Sequence, residues 1–209
     1  YPYRQNSNFY YLSGFMEDNS CLVFLKKEQK TEVILFVEKK DKTKELWSGK
    51  RLGKKEAKKR FLVDKVYEYH DLEMKLQSYM IMQENLYYSF NLETSKVDRV
   101  KKYAKGINTL LNLNYHVENM RLLKSQSEID LIKKALSITK EAHHKAIKIA
   151  KTLQYEYELQ SEIEYVFKKN GAYSDAYTSI VACGNSANTL HYISNDKKLI
   201  DGELILIDA

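Results

Sequence analysis

Cysteine is scarce in this chain of 209 residues: Cys21 and Cys183 stand far apart and neither belongs to a CxxC pair. That usage excludes a disulfide framework and a thiolate zinc site, and it suits a reducing compartment, with the cytoplasm as the expected location. No apolar run approaches the roughly 20 residues that a membrane-crossing helix needs, and no signal peptide is recognisable. Arginine is scarce too. Only five of the 34 basic residues are arginine (Arg4, Arg51, Arg60, Arg99 and Arg121), so the net charge of +6 comes from lysines scattered among 28 acidic residues. Proteins that read nucleic acid gather basic residues on one face and favour arginine for bidentate base contacts. Dispersed lysines read instead as solvated helix faces, so neither nucleic acid nor membrane is an expected partner.

What the chain does have is a globular balance of 44% hydrophobic and 30% charged residues. Its length exceeds the usual size of a single core, so two domains are expected. Residues 1–118 form one and 119–209 the other, with the boundary near Glu118 to Lys124. The first residue is Tyr1 rather than Met and the last follows a strand by one position, so both ends read as cut. Asn8 to Phe15 is aromatic and β-prone, with a turn at Gly14. Strands are predicted at Cys21 to Leu25 and Thr31 to Val37, joined through Lys26 to Lys30. Leu46 to Gly53 shows neither helix nor strand periodicity and reads as a loop, in which Trp47 either plugs a core or is displayed for binding. Three units of helix and short strand follow. They are Lys54 to Phe61 with Lys65 to Tyr67, Leu72 to Tyr79 with Asn85 to Tyr88, and Lys96 to Leu111 with Tyr115 to Val117. This alternation predicts an α/β layer.

In the second domain, Ser125 and Glu128 have capping-box spacing ahead of a helical stripe of Ile129, Ile132, Leu136, Ala142, Ala146 and Ile149. A helix from Glu156 to Asn170 carries Leu159, Ile163, Val166 and Phe167 on one face, and a strand is expected at Tyr177 to Cys183. A polar loop holding His191 leads to a turn at Asp201-Gly202 and to an apolar strand, Leu204 to Ile207. Such a strand is expected to be buried on both faces. It delivers Asp208 to the edge of a core, where a carboxylate must be paired or must coordinate a metal. A capping role for Asp208 is the plainer alternative.

Six motifs in this order carry a resemblance. Phe9-Tyr-Tyr-Leu-x-Gly-Phe15, Leu46-Trp-x-Gly-x-Arg-Leu-Gly53, Met120-Arg-x-x-Lys-Ser-x-x-Glu-Ile129, Ala142-His143, Asn188-Thr-Leu-His-Tyr192 and Asp201-Gly-Glu-Leu-Ile-Leu-Ile-Asp-Ala209 are similar to those of the aminopeptidase P (Xaa-Pro aminopeptidase) family. No one motif is specific; the ordered set is. The resemblance implies an α/β (α+β) fold, in which a creatinase-like N-terminal α/β domain is followed by the first half of a pita-bread catalytic domain. It implies that Asp208 is a metal ligand, that His191 is catalytic and touches the substrate, and that Tyr177 and Trp47 border the substrate, Trp47 in a neighbouring subunit of an oligomer. Met16-Glu17-Asp18 departs from the family, which commonly has a proline after Gly-Phe.

The activity implied is hydrolysis of the N-terminal Xaa-Pro bond by water activated between two divalent ions, with manganese favoured because the ligands are oxygen-rich. The implied partners are peptides with proline at the second position and further copies of the chain, as a dimer or tetramer. One carboxylate and one histidine cannot hold two ions, so these 209 residues alone are expected to be inactive. Two alternatives stay open at this point: a prolidase that cleaves Xaa-Pro dipeptides, and a non-catalytic peptide- or protein-binding module of the same fold.

Overall fold

A computed structural model of the chain describes residues 3–81, 83–91, 98, 102–104 and 106–209. They form two compact units, Tyr1–Leu123 and Lys124–Ala209.

The first unit is built on the central strand of a three-stranded sheet. Strand β1 (Cys21–Lys27) pairs antiparallel with β2 (Lys30–Val37), and β2 pairs in parallel with β3 (Lys65–Glu68). The period-2 alternation of side chains along a strand explains why β2 is central. Leu35 and Val37 pack on one face against Phe15, Ala57 and Phe61, while Ile34 and Phe36 pack on the other with Leu25, Tyr67 and Leu72. The hairpin is tighter than expected. Lys27 pairs with Lys30, so only Glu28 and Gln29 turn, Glu28 at a left-handed φ of 49°.

Helix α1 (Ser7–Ser13) replaces the expected β-prone segment. The Asn6 side chain accepts from the Asn8 and Phe9 amides at 3.0 Å each, and Gly14 closes the helix at a φ of 66°. A side-chain cap and a left-handed C-terminal glycine outweigh the weak helix propensity of aromatics. Helix α2 (Lys42–Ser48) likewise replaces part of the expected loop, started by the Asp41 carboxylate, which accepts from the Thr43 and Lys44 amides. Helix α3 (Gly53–Arg60) and helix α4 (Leu72–Met80) lie close to their predicted spans.

Strand β4 (Asn85–Tyr88) pairs in parallel with β5 (Thr109–Asn112). Six of the 16 positions of the helix expected from Lys96 to Leu111 lie outside the described residues, and its expected end, from Thr109 to Leu111, is strand. The strand expected at Tyr115 to Val117 is instead inside helix α5 (Leu113–Leu122). The Asn112 side chain, accepting from the Asn114 amide at 3.1 Å, starts that helix and ends β5.

In the second unit, helix α6 (Gln126–Ile149) begins at the predicted capping box. The Ser125 amide donates to Glu128 Oε2 at 2.8 Å, and the Glu128 amide donates back to Ser125 Oγ at 3.4 Å. Helix α7 (Glu156–Lys169) packs against it through the predicted face: Leu159, Ile163, Val166 and Phe167 are buried with Ala142 and Ala146. The N-terminal half of the α6 stripe behaves differently, since Ile132 and Leu136 are exposed. Strand β6 (Ile180–Cys183), shorter than expected, is buried along its length and pairs antiparallel with β7 (Ile205–Asp208). Burial of β7 on both faces is not observed. Ile205 and Ile207 pack on the core, whereas Leu206 and Asp208 face outward and Leu204 is 85% exposed. The reason is that, among the described residues, only one layer of helices flanks this two-stranded sheet.

Candidate metal and substrate site

The register of the β6–β7 pair sets the first feature of the site. Ile180 lies opposite Asp208, so Tyr177, three residues before β6, arrives beside the carboxylate. The Tyr177 hydroxyl donates a hydrogen bond to Asp208 Oδ1. That bond, followed by desolvation, raises the Tyr177 pKa above that of a free tyrosine. Asp208 is exposed at the end of its strand rather than enclosed at a core edge, so the cost of an unpaired buried charge does not arise. Among the described residues no group of three or more His, Cys, Asp or Glu side chains could hold a metal ion. Asp208 fits a divalent ion as one oxygen ligand of a larger set.

His191 is exposed in the stretch that follows a 3-10 turn, Gly184–Asn188. Two buried side chains hold that stretch, and neither was legible as functional from sequence. Glu156, at the start of α7, accepts from the Cys183 amide at 2.7 Å, the Tyr192 hydroxyl at 2.7 Å and the Lys197 amide at 2.9 Å. Asn195, at a left-handed φ of 47°, accepts from the Val181 amide at 3.0 Å and donates to the Ser179 carbonyl at 2.8 Å. Glu156 reads in sequence as an ordinary acidic residue in the first turn of a helix.

Trp47 belongs to the first unit, near the end of α2, and is 90% exposed, so it is not a core plug within the chain. Its motif is a built structure nonetheless. The Arg51 amide donates to Glu45 Oε1 at 3.1 Å, the Leu52 amide donates to Glu17 Oε1 at 2.7 Å, and the Arg51 guanidinium pairs with Asp18. Glu17 and Asp18, which follow Gly14-Phe15 and Met16, are therefore the anchors of the Trp47 segment. Tyr177 and Asp208 are brought together, while Trp47 lies in a different unit from both.

Residues 130–209 match the profile of metallopeptidase family M24, and residues 1–87 match that of the aminopeptidase P N-terminal domain. In chain order the two matches are those of an aminopeptidase P N-terminal domain and of an M24 domain. Along its whole length the chain is similar to aminopeptidase P. It is 37% identical over 209 residues to Xaa-Pro aminopeptidase of Haemophilus influenzae, covering 100% of this chain and 49% of that protein. It is 32% identical over 221 residues to the Escherichia coli enzyme, covering 100% of this chain and 50% of that one. A solved structure of E. coli aminopeptidase P in its low-pH form superposes with a TM-score of 0.95 at 31% identity, over 100% of this chain and 50% of that chain. A zinc-substituted form of that enzyme in complex with product gives 0.94, at 31% identity over 100% of this chain and 50% of that one. The chain spans about half the length of these relatives.

Proposed function

We propose that the protein carrying this chain is a metal-dependent aminopeptidase that releases the first residue from peptides with proline second. The observation that carries this reading is the likeness to Xaa-Pro aminopeptidases over 100% of the chain, through both domain types in order. In this reading residues 1–118 are the creatinase-like accessory domain and 119–209 the first part of the pita-bread catalytic domain. Asp208 serves as one ligand of a divalent-metal pair, manganese being favoured by oxygen donors, and the remaining ligands come from outside these 209 residues. Such a metal pair supplies an activated water and polarises the scissile carbonyl. Tyr177, by donating to Asp208 Oδ1, orients the carboxylate and leaves its other oxygen available. His191 donates to the substrate beside the scissile bond, or moves a proton to the leaving nitrogen. Trp47, fully displayed, walls the site of a second subunit in a dimer or tetramer. The reading also places the enzyme in the cytoplasm.

The test is release of the first residue from a short Xaa-Pro peptide by the protein as its source makes it, with manganese and after chelation. Metal-dependent release from the proline peptide, and none from its alanine-second counterpart, is the expected result. Absence of release with every divalent metal tried would sink the reading. Cleavage confined to dipeptides would make it a prolidase.

A further inference from the structure

The second unit encloses a carboxylate that no step of the proposed reaction uses. Glu156 is 0% exposed, and all three groups that face its two oxygens are donors: the Cys183 amide on Oε1, and the Tyr192 hydroxyl and Lys197 amide on Oε2. Its own amide donates to the Lys197 carbonyl at 3.0 Å. These donors come from the end of β6, from the residue directly after His191, and from the far end of the loop. A second clamp repeats the pattern. Asn195, 1% exposed, accepts from the Val181 amide, and its amide group donates to the Ser179 carbonyl and, at 2.7 Å, to Gln160 Oε1. Beyond them the Leu199 amide donates to the Gln154 carbonyl at 2.9 Å.

Enclosing a carboxylate costs heavily unless donors surround it, and a surface loop can satisfy its backbone with water instead. A segment that only joined two strands would need neither clamp. We propose that Glu156 is a positioning residue: it fixes residues 184–198 as a rigid carrier that presents His191 at one place and in one orientation. The inference rests on the reading of His191 as the group that meets the substrate.

The donor pattern makes glutamate specific at this position. In Glu156→Gln the new NH2 group meets a backbone N–H whichever way it turns, that of Cys183 or that of Lys197, and one of these is left unpaired. Tyr192→Phe is the gentler variant, because both backbone amides keep their acceptor.

Amide hydrogen exchange and steady-state turnover of an Xaa-Pro peptide, on the protein as its source makes it, test the proposal. In both variants exchange in residues 184–198 is expected to rise about tenfold, the equivalent of one lost hydrogen bond, while Leu159, Ile163 and Phe167 keep their rates. The turnover number is expected to fall about tenfold or more with KM little changed, as misplacement of a reacting group predicts. A uniform rise in exchange across the second unit would show that Glu156 is only structural glue and would overturn the proposal. So would local loosening with an unchanged turnover number. If the unsubstituted protein cleaves no Xaa-Pro peptide, the functional reading fails by itself. The His191 imidazole proton resonance then decides the positioning claim: displaced in the variants it supports the claim, and unmoved it refutes it.

Discussion

Gly184 links the last residue of β6 to the 3-10 turn, and its side of the chain is occupied. A Cβ there would clash with Glu203 Oε2, and its φ of 55° is left-handed. The Glu203 carboxylate can swing away, which leaves backbone strain as the main cost, so Gly184→Ala should lower stability by about 1–2 kcal/mol in urea unfolding. Tyr192 gives a pH-dependent prediction. Burial first, and then the hydrogen bond to Glu156, raises its pKa above the ordinary tyrosine value of 10.0. The folded state thus holds this proton more tightly than the unfolded state does. The resulting stabilisation is fully present below pH 10.0 and is lost as pH rises through the folded value. Denaturant unfolding at neutral pH and above pH 10.0 should therefore show a smaller loss of stability on alkalinisation for Tyr192→Phe than for the unsubstituted chain.

Among the elements, those whose ends are set by their own side chains were the most legible. The Ser125–Glu128 box satisfies the α6 terminus from within four consecutive residues, and sequence placed that terminus at the residue observed. Ser125→Ala should cost about 1 kcal/mol, read from thermal melting followed by circular dichroism. The four buried apolar residues of α7 were legible for a similar reason, because their spacing is the period of the helix itself. Helices α1 and α5 were misread because the deciding atoms are the caps Asn6 and Asn112, which sequence does not distinguish from loop polarity. Trp47 was left open between plug and display for a different reason. Whether an aromatic is a plug or a display depends on what packs beside it, and among the described residues Trp47 is left 90% exposed.

For the whole molecule, the decisive quantity is the number of metal-binding groups. Asp208 stands without two further His, Cys, Asp or Glu neighbours among the described residues. Calorimetric titration of the isolated 209-residue chain with manganese should thus show no saturable site tighter than about millimolar, since site affinity follows ligand number and charge. The chain is also expected to turn over no Xaa-Pro peptide. A tight site in the isolated chain, abolished by Asp208→Ala, would mean that the ligand set is more local than the register of β6 and β7 indicates. No helix among the described residues is long and apolar enough to cross a membrane, in keeping with the short apolar runs.

Sequence by itself determined the hydrophobic face of α7 and the start of α6, and it nominated Asp208, His191, Tyr177 and Trp47 as candidates. Each of these depends on residues close together in the chain, or on motifs read in order. Tertiary structure alone decided the rest. The pairing of Ile180 with Asp208 brings Tyr177 to the carboxylate across 31 positions of chain. The closure of Cys183, Tyr192 and Lys197 on Glu156 spans up to 41 positions. Register and enclosure are properties of paired strands and packed layers, and no local periodicity encodes which distant donor will face a buried acceptor.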